Sequence, residues 1–139
     1  MSMPECGLLD TSTVILLGRI TDPTLLPDEP VISAITLAEL SVGPLITDDS
    51  DERAGRQAHL QLAESDFDPL PFDAAAARAF GPIAANLRRA GRKPAARAYD
   101  ALIAATAIST QLPLFTCNPR DFSGIPDLDL RVIPHPDHA

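Results

Sequence analysis

The stretch Asp100–Ser109 reads DALIAATAIS. After its opening aspartate nearly every position is apolar or small, so a helix made from it has no polar face to offer to water. Such a helix fits burial against a sheet, and the rest of the chain supplies short apolar runs suited to that sheet.

Cys6–Leu9 is an apolar run ending at Asp10, readable as a buried strand. A short helix is expected from Ser12 to about Arg19, then a loop over Thr21–Pro30, rich in proline and aspartate. Val31–Ile35 reads as a second strand, and Thr36 opens a helix reaching toward Ile46. Asp48–Glu52 starts a polar helix running to about Ser65, with Leu60 and Leu62 on its inner side. Phe67–Phe72 is a weak, proline-interrupted strand suited to an edge. Asp73 caps a helix to Ala90 with Phe80, Ile83, Ala84 and Leu87 on one face, and Gly81–Pro82 predicts a kink or break inside it. Leu112–Cys117 is a strand, Asn118–Ser123 a turn, and Leu130–Ile133 a last short strand entering a polar tail over residues 131–139.

Strands alternating with helices imply right-handed crossovers. The expected fold is therefore α/β, a three-layer α/β/α sandwich around a mainly parallel central sheet. With no repeat and no boundary, the 139 residues read as one domain, and a 45% hydrophobic content fills one core. No apolar stretch is long enough to span a bilayer, and the N-terminus lacks the pattern of a secretory signal, so a cytoplasmic protein with no membrane contact is expected. Cys6 and Cys117 are too few for a disulfide framework or a structural zinc site and read as free thiols.

The net charge of −8 excludes a protein that simply coats nucleic acid. Its distribution is uneven. From Ala74 to Tyr99 there is no acid, yet Arg78, Arg88, Arg89, Arg92, Lys93 and Arg97 fall there, six of the eleven basic residues. This window is either a solvated helix face or a surface that holds a polyanion.

In a parallel α/β sheet, ligands bind at the carboxyl ends of the strands. Asp10 ends the first strand, and Glu39 stands in the first turn of the helix leaving the second. Asn118 and Asp121 lie in the turn after Leu112–Cys117, and Asp100 opens the helix that feeds that strand. All five project toward one edge. Each has a simpler explanation: Asp10 as an N-cap, Thr36-x-x-Glu39 as a capping box, Asp100 as a dipole partner, Asn118 and Asp121 as turn formers. None of these explains why sequence-distant acids should gather at the same edge, where they repel one another unless a cation lies among them. Oxygen donors without a convergent His or Cys suit Mg²⁺ or Mn²⁺, whose usual work is on phosphates. The histidines His59, His135 and His138 accompany no obvious nucleophile, and no Gly-rich phosphate loop is present.

The blocks LLDTS (Leu8–Ser12), ISAITLAEL (Ile32–Leu40), YDALIAATA (Tyr99–Ala107) and TCNPRDF (Thr116–Phe122) resemble, in order and spacing, the four motif blocks of PIN-domain ribonucleases. They are most similar to the VapC toxins of bacterial VapBC toxin–antitoxin pairs. The resemblance spans nearly the whole chain and implies a metal-dependent endoribonuclease that cleaves RNA, with a tRNA or rRNA stem-loop as the substrate that family analogy suggests. It also implies two protein partners, a cognate VapB antitoxin and a second copy in a homodimer. By motif position Asp10, Glu39 and Asp100 match the acidic residues that hold the divalent ions, and Ser12 matches a hydroxyl supporting the first aspartate. At the fourth position Asp121 is the expected carboxylate and Asn118 a neutral ligand or supporting donor. The basic candidates for RNA are Arg88, Arg89, Arg92, Lys93 and Arg97. The same resemblance implies an antitoxin groove on the N-terminal helices, with Val14, Leu17, Leu40 and Leu45 as candidate lining. Two other readings stay open: a PIN-fold binding module that does not cleave, and a haloacid-dehalogenase-like phosphatase using Asp10, although Ser12 stands where that chemistry needs a second aspartate.

Overall fold

A computed structural model describes residues 3–92 and 97–138. Lys93 lies outside them. The elements run β1 (Cys6–Leu9), α1 (Thr11–Leu16), β2 (Glu29–Val31), α2 (Ala34–Val42), α3 (Ser50–Asp66), α4 (Ala74–Arg89), α5 (Ala98–Thr110), β3 (Leu114–Thr116) and β4 (Leu130–Val132). The four strands form one sheet in the order β2-β1-β3-β4, every pair parallel. The expected α/β sandwich with a parallel sheet is what the chain forms.

Strand pleating divides the core in two. Leu8 and Leu114 point into a cluster with Ile83 and Leu87 of α4 and Ala101, Ile103, Ala104, Ala105 and Ala107 of α5. Leu9 and Phe115 point the other way, toward Val14 of α1, Leu40 of α2 and Ala63 of α3. The DALIAATAIS helix is buried nearly all round, as its composition requires, with the outer cover supplied by α4.

Several local expectations shift. The strand expected over Val31–Ile35 begins earlier, at Glu29 inside the expected loop, and ends at Val31. Ser33 then caps α2, its hydroxyl accepting from Thr36 N at 3.2 Å, so the cap stands three residues before Thr36 and the capping box with Glu39 does not form. Phe67–Phe72 contributes one parallel bridge, Ser33 to Leu70, because the prolines flanking Leu70 remove donors that a longer ladder needs. In α3 Leu60 packs against the core as expected, whereas Leu62 is exposed and Ala63 is the fully buried residue. The helix α4 runs unbroken through Pro82. Proline there removes the bond to the Arg78 carbonyl, and both residues lie on the solvent face, where that carbonyl is open to water. At the C-terminus, Ile133 is buried, so the polar tail begins after it and not at residue 131.

Gly7 is the tightest point of the sheet. A Cβ built there would sit 2.5 Å from Phe115 Cε1 and 2.8 Å from Pro27 Cβ. Gly7→Ala is expected to cost about 2–3 kcal/mol of stability, read as a lowered midpoint in urea unfolding. An unchanged midpoint would mean the Phe115 ring moves freely.

Candidate metal and nucleic-acid site at the carboxyl edge

The strand order reverses at β1, which takes β2 on one side and β3 on the other. The crevice beyond the carboxyl ends of β1 and β3 is therefore the topological switch point where such sheets bind ligands. Asp10 follows β1 directly, and Asn118 stands just beyond β3.

Asp10 is 3% exposed. Its Oδ1 accepts from Thr13 N at 3.0 Å and from the Thr13 hydroxyl, so it does cap α1. Its Oδ2 accepts from Ser12 Oγ at 2.9 Å and Thr116 Oγ1 at 2.7 Å. A buried carboxylate with this many donors is held in one orientation. Helix start and reactive position are thus the same residue. The hydroxyls beside Asp10 read as its support, and Ser12 and Thr13 both bond it, while Thr116 gives no sign of this role in the sequence. Thr116 also accepts from Asn118 N at 2.9 Å, tying the fourth motif to the first. Thr116→Val should remove about 1–2 kcal/mol of stability, measured by denaturant melts. A variant as stable as wild type would show that Asp10 does not depend on this donor.

Glu39 lies in the second turn of α2 because Ser33, and not Thr36, begins the helix. Freed from capping, its Oε1 accepts from Thr11 Oγ1 at 2.7 Å. Thr36, fully buried, lies 3.0 Å from the same Thr11 hydroxyl, which orients it toward Glu39. Burial pushes the Glu39 carboxyl above its ordinary value, the Thr11 bond opposing this and the Asp10 charge adding to it. Asp100, in the first turn of α5, is pushed up to about 7. Burial is the main cause, followed by the negative charges of Asp121, Glu39 and Asp10, with Arg97 acting the other way. The four acids expected at one edge therefore feel one another there.

Asp121 lies in a turn of 3-10 helix, Pro119–Phe122, and pairs with Arg97, NH1 to Oδ1 at 2.6 Å. Asn118 begins that turn and, with Asp121, Cys117, Pro119 and Arg120, lines a cavity of about 620 Å³. Among the described residues no group of three His, Cys, Asp or Glu closes as a finished metal cage. What converges is an open acidic edge whose donors are oxygens throughout, chemistry that fits Mg²⁺ or Mn²⁺ and not a soft metal.

The basic window is partly spent on structure. Arg92 NH1 donates to Ser123 O at 2.8 Å, and Arg97 holds Asp121. Arg88 and Arg89, in the last turn of α4, are exposed. A second cavity of about 400 Å³ lies against Glu39 and Thr11, lined by Ile15, Val42, Ile46, Arg56, His59 and Tyr99 among others. Ile15, Val42, Leu45, Ile46 and Tyr99 are large apolar or aromatic side chains left exposed. Of the expected groove residues Leu45 is exposed and Leu40 lines this cavity, whereas Val14 and Leu17 turn inward to the core. Both cysteines are free, with Cys117 buried and its thiol pushed up by burial. Among the described residues no helix is long and apolar enough to cross a membrane.

The chain is an α/β protein with a parallel sheet and an acidic switch point, and residues 8–128 match the PIN domain family. Ribonuclease VapC5 of Mycobacterium tuberculosis is 41% identical over 115 residues, 81% of this chain and 83% of that protein. Ribonuclease VapC of Rickettsia bellii is 32% identical over 91% of this chain and 96% of its own length. Among solved structures, the VapBC-5 toxin–antitoxin system of M. tuberculosis contains a chain with TM-score 0.74 and 36% identity, covering 94% of this chain and 98% of that one. DNA-bound VapBC from Salmonella typhimurium gives a TM-score of 0.68 at 29% identity, over 94% of this chain and 98% of that one. The chain belongs to the PIN-domain family, on its VapC branch.

Proposed function

We propose that the chain is a Mg²⁺- or Mn²⁺-dependent endoribonuclease acting as the toxin of a type II toxin–antitoxin pair. The observation that carries this is the meeting of sequence-distant acids at the switch point, where the charges of Asp121, Glu39 and Asp10 add to burial in raising the Asp100 carboxyl. Asp10, Glu39, Asp100 and Asp121 would hold the ions, with Asn118 as a neutral oxygen donor. A bound divalent ion supplies an activated water and neutralises charge developing on the phosphate. The chain's part is to fix the ligands. Ser12, Thr13 and Thr116 orient Asp10, and Thr11 orients Glu39. Arg88 and Arg89 offer exposed guanidinium groups to RNA phosphates.

The family resemblance and the names of the relatives support a VapB-type antitoxin as partner. The exposed Ile15, Val42 and Ile46 beside Glu39 suit an apolar segment that would also obstruct the site. A homodimer and a cytoplasmic setting belong to the same reading. A phosphatase with Asp10 as nucleophile fits poorly, since both oxygens of that buried carboxylate are already engaged by Thr13, Ser12 and Thr116. The test is cleavage of a structured RNA by the purified chain with Mg²⁺, Mn²⁺ or chelator. Cleavage confined to the metal-supplied reactions is expected. Equal cleavage in chelator would overturn the metal requirement. Metal binding without cleavage would favour the non-cleaving binding module.

A further inference from the structure

Arg97 occupies the position before α5 at which a capping side chain would stand, yet it makes no cap bond to the helix. Its guanidinium instead reaches 24 residues along the chain to Asp121, NH1 to Oδ1 at 2.6 Å. Both side chains are about a third exposed, 35% and 38%, so water reaches the pair and its partners can exchange. The loop that carries Asp121 does not depend on this bond for its position. Asn86 Nδ2 donates to Gly124 O at 2.6 Å, Arg92 NH1 to Ser123 O at 2.8 Å, and Asn118 N to Thr116 Oγ1 at 2.9 Å. Three fastenings on either side of Asp121 thus keep its backbone in place whichever partner its carboxylate takes.

We propose that Arg97 is the resident counter-ion of Asp121, and that a divalent cation must compete with its guanidinium for this carboxylate. The inference rests on the metallonuclease reading above and adds a competitor to it. A carboxylate oxygen engaged at 2.6 Å by a guanidinium is not free to ligate a cation, and two positive charges cannot share it without repulsion. The open arrangement of the acidic edge follows from the same bond, because it holds one of the four acids to a partner on α5's leading end. Arg97 is accordingly a positioning residue that sets how tightly metal is bound.

The experiment is a Mn²⁺ titration of the full chain, with free Mn²⁺ followed by electron paramagnetic resonance, for wild type, R97A, D121N and the double variant. R97A is expected to bind Mn²⁺ about tenfold more tightly than wild type, the factor that corresponds to one charge-assisted bond no longer competing. In the D121N background the same change should move affinity by less than about twofold, since the residue through which Arg97 acts is already neutral. Unchanged or weaker binding by R97A would overturn the proposal. An equal gain in the D121N background would also overturn it, by showing that Arg97 acts only as a distant positive charge. A D10N control separates the two levels of inference. Mn²⁺ binding that depends on Asp10 but ignores Arg97 would remove the counter-ion and leave the metal site. Binding indifferent to both Asp10 and Arg97 would remove the metal reading itself.

Discussion

Asp10→Asn is expected to lower RNA cleavage by roughly a thousandfold while the protein stays folded. The substitution keeps the shape of the side chain and removes its charge. An asparagine oxygen still accepts from Thr13 N, and the rotatable hydroxyls of Ser12 and Thr116 turn to accept from the new amide. The stability cost is then about 1–2 kcal/mol, visible in thermal melts but not enough to unfold a domain of ordinary stability. The loss of activity has a different origin. Asp10 is the most buried of the four acids and lies where β1 delivers its side chain to the switch point. No neighbouring oxygen takes over its charge. Cleavage within tenfold of wild type, measured on the same RNA, would remove Asp10 from the reaction.

Asp100→Asn should have the opposite signs on stability and activity. The Asp100 carboxyl stands near 7 in the folded chain against an ordinary value of 3.8, because burial and three negative neighbours disfavour its ionised form. Between those values the folded state holds a proton that the unfolded state has released. Stability from this group is therefore fully present below about pH 4, falls as the pH rises and is lost above about 7. Asparagine cannot ionise, so the variant should lose this slope. In chelator at pH 8 its melting temperature should rise by a few degrees, the half-buried position limiting the gain. On the proposed function, RNA cleavage should fall with the lost carboxylate. Melts at pH 5 and pH 8 check the point, and a variant less stable than wild type at pH 8 would contradict it.

How legible this was depends on the range of the interaction. The parallel sheet and the buried helix α5 follow from local composition, since an all-round apolar helix and short apolar runs leave few other ways to bury surface. Asp10 stood out because a buried strand seldom ends in a charge. Glu39 was legible in position but not in role. Ser33 lay inside a β-branched run that reads as strand, so Thr36-x-x-Glu39 looked like the better cap. The hydroxyl of Thr116 could not be assigned to Asp10 from sequence, because the bond spans 106 residues and exists only once the sheet is formed. Likewise the basic window suggested a free cationic surface, and charge counting along one dimension does not reveal that Arg92 and Arg97 already have partners. Pro82 does not break α4, because the Arg78 carbonyl it orphans lies on the solvent face, where water can reach it.

The central strand also sets a timetable. β1 is made first, but its neighbour β3 belongs to the last quarter of the chain, and Leu8 pairs with Leu114. Until that partner arrives, Asp10 lacks the Thr116 donor and stands far from Asp121 and Asn118. Pairings of this range form late and slowly, because a long loop must close before any contact rewards it. A nascent chain in which β3 has not yet paired therefore carries Asp10 and Glu39 without the neighbours that complete the acidic edge. On the proposed function, it has the parts of the site before it has the site.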